Sequence, residues 1–281
     1  MRVGFVTCVE LGLECIEEVL QFGGTIDAIV TLPTDTAASK SGRVHVEDIA
    51  HAHGIACGQF RNVNDPDAVQ WLRNQQLDWL FIVGWSQIAK EDVLAVPKQG
   101  AIGMHPTLLP QGRGRAAIPW TIIKGLSESG VTMFRLDSGV DSGPIVGQVR
   151  FSVDQESEDA ASLYSKVLAA HRQLMREVWP HLMNDTLVAT AQDESAATYW
   201  PGRKPEDGRL TSTMSASEAE RLIRATTRPY PGAFVEMPSG ERLTIWRAHS
   251  RRPGEALSGR LALSLSDGDL WIDECTSRPV A

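Results

Sequence analysis

The sequence predicts an α/β protein: a doubly wound, mostly parallel sheet followed by a second, smaller all-β domain. Two observations carry this. Short apolar runs alternate with helix-periodic segments through the first half, the pattern of a parallel sheet covered by helices. After residue 205 a single short helix is followed by brief segments broken at Pro231-Gly232, Ser239-Gly240, Pro253-Gly254 and Asp267-Gly268, the rhythm of a small β-barrel.

Val3–Thr7 is the first apolar run, and Leu13, Ile16, Val19 and Leu20 then recur at helical spacing. Gly23-Gly24 closes that helix, because glycine accepts the left-handed turn beyond a helix end. Ile26–Leu32 is a second buried strand. Asp65-Pro66 supplies an N-cap and first-turn proline for a helix reaching about Gln75. Leu80–Gly84 and Gly100–Met104 are further short strands, and Ile145–Val153 alternates as a half-exposed one. Ser157-Glu158-Asp159 opens a long helix, with Tyr164, Val167, Leu168, His171, Leu174, Val178 and Leu182 as its apolar stripe. The domains expected are therefore a Rossmann-like one over 1–190, a linker over 191–205 holding Tyr199-Trp200-Pro201-Gly202, and an OB-like barrel over 206–281.

Composition narrows the function. No run approaches the roughly 18–20 apolar residues of a membrane span, so no membrane partner is expected. Cys8, Cys15, Cys57 and Cys275 are scattered without metal-like spacing, which implies reduced thiols, a cytoplasmic setting and no metal site. The net charge is −8, and residues 200–281 carry 12 basic against 11 acidic side chains. A nucleic-acid partner is not expected from so even a balance.

The chemistry concentrates between Ala101 and Gln148. His105 ends an apolar stretch and is followed by Pro106-Thr107-Leu108-Leu109-Pro110, then Arg113-Gly114-Arg115. Asp141 lies in the glycine-flanked loop Asp137–Gly143, with Asp137 as a rival acid. A histidine held by a carboxylate can remove a proton from an attacking amine and stand as a cation beside a developing oxyanion. On spacing alone, His105 reads equally as a packed loop histidine and Asp141 as a turn former. His171 reads as a satisfied core histidine, and His45, His51, His53, His181 and His249 have no companions.

The surrounding residues resemble the folate-dependent formyltransferases, methionyl-tRNA and sugar-modifying members alike, over nearly the whole chain. The likeness rests on Gly100-Ala101-Ile102, His105 to Pro110, Arg113 to Arg115, Gly130-Val131-Thr132 and Val140-Asp141-Ser142-Gly143-Pro144-Ile145. Arg203 to Gly208 and Arg228 to Phe234 continue it. It implies that His105 and Asp141 are catalytic and that N10-formyltetrahydrofolate is the formyl donor. It also implies that the pterin lies against Val83, Gly84, Trp85, Ser86, Gln87 and Ile88 and against the loop containing Asp137 and Val140. The likeness is strongest to enzymes that formylate amino sugars, implying a nucleotide-linked amino sugar as acceptor. Arg113, Arg115 and Lys124 would meet its diphosphate, Trp200 would stack on its base, and a homodimer is left open.

One position departs from the family: Gly103 stands where an asparagine amide usually helps hold the formyl oxygen. Losing one such donor costs roughly 10²–10³ in rate elsewhere. Another donor or an ordered water replaces it, or the protein is impaired, or it does related chemistry. The alternatives are thus methionyl-tRNA formylation, with Arg242, Arg247, Arg251, Arg252 and Arg260 as a basic stripe, formyl-folate hydrolysis, or an inactive folate-binding module.

Overall fold

A computed structural model describes residues 1–37, 42–250 and 261–279. The chain opens with β1 (Val3–Val6), α1 (Glu10–Gln21), β2 (Ala28–Thr31), α2 (Thr34–Ala37), α3 (Glu47–Ala52) and β3 (Ala56–Gln59). There follow α4 (Pro66–Asn74), β4 (Trp79–Val83), α5 (Glu91–Leu94), β5 (Gly100–His105), β6 (Arg113–Gly114), α6 (Ala117–Ile123), β7 (Glu128–Arg135), β8 (Ile145–Ser152) and α7 (Ala160–Met183). The remainder is β9 (Tyr199–Trp200), α8 (Ala216–Thr226), β10 (Ala233–Glu236), β11 (Glu241–Ser250), β12 (Ala262–Ser264) and β13 (Asp269–Pro279).

β1, β2 and β4 are buried along their whole length, which is why they read as continuous apolar runs rather than alternating ones. They lie in a seven-stranded sheet of order β3-β2-β1-β4-β5-β7-β8, parallel from β3 to β5. β7 then runs antiparallel to β5 and sets His105 opposite Thr132. Pattern reading identified the parallel strands β1, β2, β4 and β5; the parallel edge strand β3 and the antiparallel β7 escaped it. Gly23 takes a left-handed φ of 82° after α1, as a closing glycine should. Asp65 stands at the start of α4 without a side-chain cap bond, the first turn resting on Pro66 instead. At α7 the cap is Asp159, whose carboxylate accepts from Ser162 N at 2.9 Å. The buried stripe of α7 includes Leu163, Ala170, Met175 and Trp179, whereas Tyr164 and Leu168 are only half-buried.

The described residues form two compact units. One comprises Met1–Gly114, Gly130–Phe151 and Val167–Tyr199; the other comprises Arg115–Ser129, Ser152–Lys166 and the chain from Trp200 onward. In the second, Ser215 and Glu218 form a reciprocal capping box on α8. The apolar face of α8 (Ala219, Leu222, Ile223) packs with Ala233, Ile245 and Leu270 of the strands. The small all-β C-terminal domain expected from the sequence is present: among the described residues its strands form one antiparallel sheet of four, order β10-β11-β13-β12. The turn at Pro253-Gly254 and the residues Arg251, Arg252 and Arg260 lie outside the described residues. Among those described, no helix is long and apolar enough to cross a membrane, and no cluster suited to a metal ion occurs.

Candidate active site

His105 is the last residue of β5, at the carboxyl edge of the parallel strands where ligands of such sheets gather. The turn after it is tied to β7 through Thr132. The Thr132 hydroxyl donates to the Thr107 carbonyl at 2.7 Å and accepts from Leu109 N at 3.1 Å and from Gln148 Nε2 at 2.8 Å. The histidine is nearly buried, and its Nε2 lies 2.8 Å from the carbonyl oxygen of Gly112. A carbonyl can only accept, so Nε2 carries a proton. Gly112 has a φ of 72°, a conformation glycine adopts without strain, and this brings its carbonyl into place.

The other ring nitrogen, Nδ1, lies 3.6 Å from Asp141 Oδ2. That oxygen also accepts from Gly114 N at 2.8 Å. Asp141 itself sits at a φ of 53°, tolerated by aspartate. Its rival has other work: Asp137 Oδ1 accepts from Gly139 N and Ser142 Oγ, both at 2.9 Å, closing its own loop. Of the two acids, Asp141 is the one brought to His105. In this neutral tautomer Nδ1 holds a lone pair beside a carboxylate, an arrangement able to accept a proton and hold it as an ion pair.

Arg113 departs from the sequence expectation. Its side chain has no exposure, and all five of its N–H donors are engaged. Nε and Nη2 donate to Gln192 Oε1 at 3.2 and 2.8 Å. Nη1 and Nη2 donate to Glu194 at 2.9 and 2.6 Å, and Nη1 reaches Tyr199 Oη at 2.9 Å. No donor is left for a diphosphate. Glu194 in turn is held below the usual carboxylate range, first by its hydrogen bond from Arg113. Gln192 completes the mesh by donating to the carbonyls of Asp141 at 2.8 Å and Gly143 at 2.7 Å. Gln192, Glu194 and Thr198 went unnoticed in the sequence because 184–199 has no periodicity. An arginine destined for burial needs an acid, and that requirement is the only signal pointing to Glu194.

Gly103 is buried in β5. A Cβ added there would meet Leu136 Cδ2 at 2.7 Å and Phe134 Cε1 at 3.3 Å, so apolar carbon fills the place of a side-chain donor.

In the loop after β4, Val83 is buried, Gly84 and Ser86 are exposed, and Ile88 is 70% exposed. Gln87 is committed to the fold, its amide accepting from Val63 N at 2.9 Å and donating to the Arg61 carbonyl at 2.7 Å. Trp85 packs beside Cys8, Val9 and Leu32, with its indole N–H buried and unpartnered. Val140 is an exposed apolar side chain. His171 is only half satisfied. Its Nδ1 lies 2.8 Å from the Val167 carbonyl, its Nε2 is buried without a partner, and burial pushes its pKa down to about 4.

In the second unit, Arg115 and Lys124 are exposed and have no carboxylate partner among the described residues. Lys124 Nζ lies 5.7 Å from the Trp120 ring centre and 5.9 Å from that of half-buried Trp200, and Arg203 stands 5.1 Å over Trp120.

The chain matches two family models: "Formyl transferase" over residues 16–179 and "Formyl transferase, C-terminal domain" over 203–278. Solved structures of similar fold include a methionyl-tRNA formyltransferase from Clostridium thermocellum, with 16% identity, TM-score 0.64 and full coverage of both chains. Another is an N-formyltransferase from Helicobacter canadensis in complex with folinic acid and dTDP-3-aminofucose. It has 17% identity and TM-score 0.70, over 98% of this chain and 99% of that one. A third is WlaRD, a sugar 3N-formyl transferase with dTDP and 5-N-formyl-THF. It has 17% identity and TM-score 0.71, over 99% of this chain and 97% of that one.

Proposed function

The chain belongs to the formyl transferase family, and from that premise we propose that it moves a formyl group from N10-formyltetrahydrofolate to the amino group of a nucleotide-linked amino sugar. The observation that carries the reading is His105 placed between the Gly112 carbonyl and the Asp141 carboxylate. The folate donor supplies an activated formyl carbon. As the amine attacks that carbon, its proton passes to Nδ1 of His105, the nitrogen left free by the Gly112 bond. The imidazolium so formed has an acceptor at each nitrogen, Gly112 O and Asp141 Oδ2, and its charge faces the developing oxyanion. The same ring would return that proton to the departing nitrogen of the donor. With apolar carbon around Gly103, oxyanion stabilisation falls on His105 and on backbone groups.

The loop 83–88 suits a pterin. Ile88 offers an exposed apolar face, and Val83, Gly84, Trp85, Ser86 and Gln87 contribute backbone. Asp137 and Val140 flank it from the second loop in this reading. Arg115, Lys124 and Trp200 take the acceptor's diphosphate and base. A small acceptor is favoured over tRNA because Arg242, one cation of the basic stripe, is already paired with Glu236 and lies over the Phe234 ring. The functional division over 1–190, 191–205 and 206–281 belongs to the same reading. So does a reducing, cytoplasmic setting, in keeping with Cys8, Cys15, Cys57 and Cys275 as free thiols. The test is incubation with N10-formyltetrahydrofolate and a panel of nucleotide amino sugars, scored by gain of one formyl mass. Formylation of methionyl-tRNA with none of any sugar overturns the acceptor, and formate release without an acceptor identifies a hydrolase.

A further inference from the structure

Two backbone atoms hold the pair assigned to the chemistry, and both adjoin one residue. The carbonyl of Gly112 takes His105 Nε2, and the amide of Gly114 takes Asp141 Oδ2; Arg113 lies between them. The backbone here is fixed on both sides. Gly112 N donates to Thr198 Oγ1 at 2.9 Å, Arg113 N donates to the Thr198 carbonyl at 2.9 Å, and Thr198 N returns a bond to the Pro110 carbonyl at 3.2 Å. The guanidinium anchors the same stretch through Gln192, Glu194 and Tyr199. Gln192 then closes a ring of contacts. Its amide oxygen accepts twice from Arg113, while its amide nitrogen donates to the carbonyls of Asp141 and Gly143.

We propose that Arg113, acting through Gln192, is a positioning residue for formyl transfer: it fixes the two backbone atoms that hold His105 and Asp141 at their separation. This rests on the reading of those two residues as the catalytic pair. A buried guanidinium is tolerated only when its donors are satisfied, so the mesh has one low-energy arrangement. The 3.6 Å gap between His105 and Asp141 is too long for a hydrogen bond by itself, so their approach is set by their supports. Lysine in place of Arg113 would keep a charge but lose the planar fork that spans three partners.

The discriminating variant is Gln192→Glu. It leaves oxygens for Arg113, so the buried cation keeps its partner, and removes both donors to the Asp141–Gly143 loop. The expected result is a folded protein with kcat lowered on the order of 10- to 10²-fold and KM for both substrates little changed. The limb of the pH–rate profile that reports the His105–Asp141 pair should also move. A merely structural role would lower thermal stability and leave that limb in place. His105→Asn serves as the control. If His105→Asn is inactive while Gln192→Glu keeps the wild-type kcat and profile, the positioning role is overturned. If His105→Asn itself retains full rate, the catalytic pair is wrong and the failure lies there. Should Gln192→Glu not fold, Glu194→Gln carries the test, since that carboxylate is largely exposed. A smaller fall in kcat with the same displaced limb supports the role, and an unchanged profile overturns it.

Discussion

Arg113 and Arg115 are two residues apart in one glycine-containing turn, yet they belong to different kinds of region. Every donor of the Arg113 guanidinium has a partner and the side chain is wholly buried. Around Arg115 and Lys124, cations are exposed and lack carboxylates among the described residues, and Lys124 has the aromatic rings of Trp120 and Trp200 nearby. The first arrangement holds other atoms still; the second leaves charge available. The contrast shows why residue type near a motif does not assign a role. What separates a support from a ligand contact is whether its donors are already occupied.

The comparison breaks most directly at His105. If the meshed region carries the chemistry, His105→Asn lowers kcat by at least about 10²-fold with folding retained, checked by steady-state rates and a thermal melt. Asp141→Asn should follow it closely. Asp137→Asn should mainly loosen its own loop, because that carboxylate serves Gly139 and Ser142. A larger rate loss at Asp137 than at Asp141 reverses the choice of acid.

Helix α7 carries a buried polar group that is not satisfied, His171, and this gives a signature in stability. The folded-state pKa of His171 is depressed to about 4, chiefly by burial, while in the unfolded chain it protonates near 6.5, the ordinary value for histidine. Between those values the unfolded state binds the extra proton, so stability falls as pH drops through that window and levels off below it. The slope approaches about 1.4 kcal/mol per pH unit at most. Denaturant melts from pH 7 to pH 4 should show it, and His171→Phe should flatten it while costing little at neutral pH, since an unpartnered nitrogen is removed.

Gly103 tests whether the meshed region has room for another donor. Gly103→Asn must displace Leu136, and overpacking of this kind costs about 1–3 kcal/mol. A lowered Tm with no gain in rate is expected, and the pair Gly103→Asn with Leu136→Ala should recover part of the stability. A faster enzyme from the single change would show that the apolar filling yields easily.

The buried parallel strands β1, β2, β4 and β5, both long helices and the position of His105 were legible because burial on two faces and helical spacing leave period and composition marks, whereas the mostly exposed edge strand β3 leaves none. Asp141 was legible only as one of two acids, since Asp137 also sits in a glycine-flanked loop and only the fold shows which carboxylate reaches the ring. The supports were not legible. Gln192, Glu194 and Thr198 lie in a stretch without periodicity, about 80 residues from their partners, and long-range polar contacts leave no local pattern. Arg113 was misread for the same reason: its neighbours in sequence suggested an exposed basic turn, and its neighbours in space are acceptors.

The smallest effects are expected where the charges are free. Arg115→Ala and Lys124→Ala each remove one exposed cation without leaving a buried partner behind, so the fold should tolerate them. A diphosphate remote from the reacting amine is bound alike in the ground and transition states. The loss should therefore appear as a several-fold rise in KM for the sugar nucleotide, with kcat and the folate KM unchanged. Added salt should weaken the wild-type affinity and narrow its difference from the variants, because exposed charges are screened within about 8–10 Å at moderate ionic strength. Trp200→Ala would separate stacking from charge, raising the same KM at every salt concentration. If Arg115→Ala instead lowers kcat and leaves KM alone, Arg115 is a support like Arg113, and the contrast between the two arginines fails.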